Sequence, residues 1–141
     1  MNPLLSYRLP QATARSHAIQ LIGPCGPLAQ RSLISKHISL PYILNTMTVH
    51  FPAGCAGLVR VYLLISEDSS TPTDALPPGT SVLSFLSPND YLEGDDVTIE
   101  LHPAIPVPQR GTWIKAHVVN ADANVHTISV QIYITELAEE P

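Results

Sequence analysis

The chain has 141 residues, most simply one domain and long enough to bury a real core; it is 45% apolar but only 13% charged, against about 25% in ordinary soluble domains. Its net charge is −5, and its seven Lys and Arg are scattered from Arg8 to Lys115, so there is no basic stripe and direct nucleic-acid binding is not expected. No apolar run approaches the roughly 20 residues of a membrane span, and no charged n-region leads an apolar block, so neither a membrane partner nor a signal peptide is expected.

Fourteen prolines, about twice the usual share of roughly 5%, favour strands, turns and extended segments over long helices. Residues 1–30 carry "MNPLLSYRLPQ" and "GPCGP", with no sustained period. They read as an extended Pro-rich N-terminal arm around one strand at 17–22. Its apolar residues Pro3, Leu4, Leu5, Tyr7 and Leu9 are candidates for contact with a neighbouring subunit. Residues 31–141 read as a single β-sandwich domain.

From residue 34 the period is two. Strands are expected at 34–40, 46–51, 58–65, 81–86, 97–102, 112–119 and 126–135. "LVRVYLLI" carries large residues on both rows, so that strand should be covered on both faces. In 97–102, Val97, Ile99 and Leu101 should point in. In 112–119, Ile114, Ala116 and Val118 should point in, with Trp113, Lys115 and His117 outward. In the last strand Ile128, Val130, Ile132 and Ile134 form the core row and Tyr133 lies opposite. Between them "SEDSSTPTDALPPGT" (66–80) is a long polar loop of the kind that is often functional. About eight short strands between turn clusters predict an all-β, antiparallel, jelly-roll-like sandwich. An immunoglobulin-like sandwich is the alternative, but Trp113 follows both Cys25 and Cys55, so the Cys…Trp…Cys spacing is missing.

Residues that could carry chemistry lack the spacing for it. The six histidines, His17, His37, His50, His102, His117 and His126, include no His-x-His or His-x-x-x-His pair. Only a hairpin of the last two strands would bring His117 near His126. There is no Gly-x-Ser-x-Gly elbow and no cysteine in an electropositive setting. Cys25 and Cys55, each beside glycines, read as small residues in turns, with a pairing left open. "EGDD" (93–96) offers oxygens to calcium, or is a polar turn in which Gly94 takes positive φ. "NADAN" (120–124) reads as a loop whose Asn and Asp side chains bond their own backbone. Trp113, Tyr62 and Tyr133 could form a sugar platform; exposed aromatics equally mark protein interfaces, and Trp113 and Tyr133 are taken as interface residues. The expectation is a non-enzyme with no metal and no cofactor.

Over residues 46–135 the order "VHFPAGCAGLVRVYLLIS", "YLEGDDVTIELHPAIPVP", "GTWIKAHVVNADANVHTISVQIYI" resembles small β-sandwich proteins encoded among bacterial and archaeal virus structural genes. Pro52, Ala53 and Gly54 fit the first turn of that pattern, Gly94, Asp95 and Asp96 the second, and Asn120, Asp122 and His126 the last. The arm 1–30 and the loop 66–80 lie outside it. The resemblance implies a virion role without catalysis: a capsid decoration (cement) protein, or a minor capsid or neck component, at the capsid surface. Its partners would be a homo-oligomer, a trimer at a three-fold position being one form, and the major capsid protein. A ligand-binding sandwich for carbohydrate or calcium is the alternative function.

Overall fold

The computed structural model describes residues 14–86 and 89–137. Ten strands there form two antiparallel five-stranded sheets. The front sheet runs β1 (Ala14–Cys25), β10 (His126–Leu137), β3 (Tyr42–Phe51), β7 (Val97–Leu101), with β8 (Ile105–Val107) beside β7 on the same edge of β3. The back sheet runs β2 (Gln30–Ile34), β9 (Trp113–Asn120), β4 (Val59–Ser66), β5 (Thr80–Ser81), with β6 (Leu92–Glu93) also on β4. With β5/β6 and β7/β8 taken as interrupted strands, this is the eight-strand order of a jelly roll.

Strict alternation builds the core. β10 contributes Ile128, Val130, Ile132 and Ile134; β3 contributes Met47, Val49 and Phe51. Across the sandwich stand Val59, Val61 and Leu63 of β4 and Ile114, Ala116 and Val118 of β9, and all of these are buried. Each large aliphatic buried there stabilises the fold by about 1.5–3 kcal/mol before chain entropy is charged against it. The β3–β10 register slips between Tyr133 and Ile134, from Thr46 to Leu44. The extra residue, Asn45, lets Leu44 and Met47, three positions apart, both reach the core.

Several elements differ from the sequence reading. Residues 14–25 are not arm: β1 pairs with β10 from Ala14↔Leu137 to Cys25↔His126. The sandwich therefore includes residues 14–30, while the expected contact residues Pro3, Leu4, Leu5, Tyr7 and Leu9 lie outside the described residues. The strand expected at 34–40 sits earlier, as β2, and beyond it only Ile38 bridges to Thr112. The strand expected at 81–86 is mostly a 3-10 turn, Val82–Phe85, because the Ser81 hydroxyl accepts the Leu83 N–H and caps it. On β7, Val97 is exposed, and Ile99 and Leu101 are half-buried against the core, because this strand lies at the sheet's edge. Gly94 does not take positive φ; Asp96 does, at 49°. Gly94 is required for space, since a Cβ there would meet Val97 Cγ1 at 2.5 Å and Phe51 Cδ2 at 3.0 Å.

Candidate functional site

Four crossovers between the sheets lie at one end: 26–29, 52–58, 94–96 and 121–125. They include all three turns of the virus-protein pattern, and the chain ties them to one another. The Asp95 carboxylate accepts the N–H of Gly54 (2.8 Å) and of Ala56 (2.9 Å). These bonds stabilise the carboxylate and hold its pKa below the usual aspartate range. The Asp122 carboxylate bonds Nε2 of the buried His126 at 2.7 Å, and that bond likewise holds Asp122 below the usual range. Gly54, at φ 102°, sits beside His126, such that a Cβ added there would lie 3.6 Å from His126 Cε1.

Asn120 closes the end. Its buried side-chain amide donates to the carbonyls of Cys25, Gly26 and Asn124, and its Oδ1 accepts the Asp122 N–H. Backbone bonds from Leu28 to Asp122 and from Ala121 to Leu58 complete the brace. Cys25 and Cys55 are both free and buried here, and burial raises both thiol pKa values. Of the oxygens considered for calcium, Asp95 Oδ1 accepts two backbone N–H groups and Glu93 Oε2 accepts from Arg60 Nε at 3.0 Å. Among the described residues no group of three or more His, Cys, Asp or Glu is arranged to hold a metal.

The outer face of the back sheet departs furthest from the sequence reading. Lys115 and His117 alternate outward as expected, yet both are fully buried. His117 Nε2 lies 2.8 Å from Gln30 Oε1 and Nδ1 lies 2.7 Å from Ser32 Oγ. Because Oε1 can only accept, Nε2 carries a proton, and in the neutral ring Nδ1 then accepts from the serine hydroxyl. Burial disfavours the charged ring and lowers its pKa. Tyr62, its cross-strand partner on β4, leans over it and against Tyr91. Lys115 Nζ donates to the Ser70 carbonyl at 2.7 Å, so the loop 66–80 is drawn over the sheet. Burial lowers the lysine pKa and the charge of Asp68 partly opposes that. The loop is held further by Ser66 Oγ on Asp68 and by the Asp68 carboxylate on the Ser70 N–H.

His117 and His126 are not brought together. Their strands lie in different sheets and form no hairpin. Trp113 and Tyr133 likewise form no common platform: Trp113 is half-buried on the outer side of the back sheet, edge-on to His37 at 4.8 Å, while Tyr133 is exposed on the outer side of the front sheet. Tyr62 is packed between Tyr91 and His117. The outer front face is instead a field of small polar residues joined across strands, such as Ser16–Thr135 and His50–Thr98, each at 2.9 Å.

No family model matches the sequence, and no curated protein sequence matches it. Solved structures align with it at low similarity. The Yersinia pseudotuberculosis-derived mitogen aligns with 7% identity and a TM-score of 0.45 over 89% of this chain and 89% of that chain. A chain of the cyanophage Pam1 capsid asymmetric unit aligns with 8% identity and a TM-score of 0.46 over 90% of this chain and 87% of that chain. The capsid protein of a 60-mer BFDV particle aligns with 10% identity and a TM-score of 0.32 over 92% of this chain and 97% of that chain. The jelly roll here is read from the strand pairing itself, not from these likenesses. Among the described residues no helix is long and apolar enough to cross a membrane.

Proposed function

We propose that this chain is a non-enzymatic structural protein of a virion, a capsid decoration (cement) or minor capsid subunit that acts at the capsid surface through contacts with its own copies and with the major capsid protein. The observation that supports this reading is the braced end. The three turns on which the sequence resemblance rests lie at this end and are braced by their polar side chains: Asp95 of the second holds Gly54 and Ala56 of the first, and Asn120 of the last holds residue 124 of its own loop and residues 25 and 26 of the neighbouring crossover. The residues best suited to chemistry are committed in the same way, His117 to Gln30 and Ser32, Lys115 to Ser70, His126 to Asp122. Such a body resists deformation and keeps its surfaces for partners. The test is mass spectrometry of purified virions, with heating of capsids with and without the added protein. The chain should be a stoichiometric virion component, and capsids carrying it should open at a higher temperature. Virions that lack it, or capsids that neither bind it nor gain stability, would overturn the reading.

A further inference from the structure

The sheet edges of this sandwich are unequal. Five of them are short: β2 and β7 have five residues each, β8 has three, and β5 and β6 have two each. They also carry edge-blocking residues, Arg31 on β2, Glu100 on β7 and Pro106 on β8. β1 is different. It has twelve residues, it is paired on one side by β10, and among the described residues no strand pairs its other side. Between Arg15 and Pro24 the edge reads "SHAIQLIG", with no Lys, Arg, Asp, Glu or Pro. Ile22 in that stretch is 56% exposed. Proteins that stay single protect such an edge with charge, proline or brevity; on β1 Arg15 and Pro24 stand only near the ends, with Arg31 donating to the Pro24 carbonyl at 2.8 Å, and the eight residues between them carry no such protection.

We infer that β1 pairs antiparallel with β1 of a second copy of this chain, across a two-fold axis at Gln20, to give one sheet continuous through both molecules. The occupant follows from self-complementarity. Directly opposed residues must share a face, so the axis must pass through a residue rather than between two. With the axis at Gln20, Ala18 meets Ile22 on the outer face and Ile19 meets Leu21 on the inner face. Gln20 meets its own copy in an amide pair, and His17 meets Gly23. Apolar residues oppose apolar ones, no charges of like sign are opposed, and both copies of Ile22 are covered. With the axis one residue either way, His17 opposes Leu21, or Gln20 opposes Ile22.

The inner row also has somewhere to go. Grooves of about 620 Å3 and about 300 Å3 run between β1 and the 31–38 segment, lined by the apolar Ile19, Leu21, Leu33, Ile34 and Ile38 and also by the charged or polar Arg31, Lys36, His17 and Glu136. A partner strand laid on β1 extends the sandwich interior sideways over them. The pairing is isologous, so it closes at two copies and does not propagate into fibres.

This inference deepens the structural reading above by naming one partner, and it has its own test. Native mass measurement of the full chain should show a dimer of twice 15.3 kDa. Ile22→Lys, on an exposed side chain, should give a folded monomer whose melting temperature no longer depends on concentration and matches that of the wild type diluted to the monomer. Gln20→Cys should form a disulfide-linked dimer under mild oxidation, because residue 20 faces itself. Ser16→Cys should not, because its copies stand about 26 Å apart at ~3.3 Å per residue; the native cysteines are buried and stay silent. A wild-type chain that is monomeric at every concentration overturns the inference, as does a dimer indifferent to Ile22→Lys or cross-linking of Ser16→Cys as efficient as that of Gln20→Cys. A chain that dimerises through β1 yet is missing from virions defeats the virion role alone; a monomer found in virions defeats the dimer alone.

Discussion

The two outer faces of this sandwich are built from the same alternation and come to opposite ends. On the front sheet the outward row of β10, Thr127, Ser129, Gln131 and Tyr133, remains open to solvent or half-open. On the back sheet the outward row of β9 includes Lys115 and His117, both fully buried under their neighbours. A strand's period of two decides which face a residue joins. What then covers that face is decided elsewhere in the chain, here by Gln30 and Ser32 of β2, Tyr62 of β4 and the loop 66–80. The back sheet thus has a polar second layer, while the front sheet keeps its outer surface.

If that contrast is right, stability should depend on outward residues of the back sheet almost as it does on the core. His117→Ala removes a buried ring and leaves Gln30 and Ser32 without their partner, so it should cost about 3 kcal/mol from cavity and lost hydrogen bonds together. The midpoint of urea unfolding measures it. A cost near zero would mean that the layer over β9 is loose and that the two faces are alike.

Lys115→Met should cost less, about 1 kcal/mol. The Ser70 carbonyl loses its donor, but a charge is no longer held out of water, and the two changes oppose each other. The larger effect should be local: cleavage within 66–80 by a protease of broad specificity should quicken several-fold, because the lysine is what draws the loop onto the sheet. Unchanged cleavage would show that the loop is held by its own Ser66–Asp68–Ser70 bonds alone.

Acid should act first on the covered layer of the back sheet and then on the braced end. Burial depresses the His117 pKa below its ordinary value of 6.5, so the unfolded chain takes up this proton at a higher pH than the folded one. The stabilisation is complete above 6.5 and falls as pH drops through the interval down to the depressed value. Asp95 and Asp122 are depressed below 3.8 by the N–H groups of Ala56 and Gly54 and by His126 respectively. Their contribution therefore begins to fall only near that value and is gone below the depressed one. Urea midpoints from pH 8 to pH 3 should show both declines, and His117→Gln should reduce the first and leave the second. A first decline that survives in His117→Gln would assign it to another group.

The sequence carried more of the fold than of the polar layer. Strand alternation in β9 and β10 identified the core rows, and "LVRVYLLI", apolar on both rows, already indicated that β4 is covered on both sides. The same logic extends to its neighbour: β9 pairs along the whole of β4, so its outward row must lie under the same cover. Lys115 and His117 are expected outward, and that they are covered is not legible because the pairing is non-local and leaves no mark within "TWIKAHVV". β1 was legible only in part, for a related reason. A strand is expected at 17–22, but Gly23, Pro24 and Gly26 make its surroundings look like an arm, whereas β10, more than a hundred residues away, makes all of Ala14–Cys25 a strand of the sheet. The turns were legible because turn chemistry is local; that they brace one another at a single end was not, because each belongs to a different crossover.

The smallest effect is expected on the front face, and it tests the contrast from the other side. Gln131 donates to the Tyr133 hydroxyl at 3.1 Å, with both residues exposed. Water replaces such a bond at little net cost, and threonine suits an exposed strand position. Gln131→Thr should therefore move the urea midpoint by no more than about 0.5 kcal/mol equivalent, less than any substitution above. A loss approaching that of His117→Ala would mean that the front face of the isolated protein is also covered, and the surface assigned to partners would then have to be sought at the β1 edge alone.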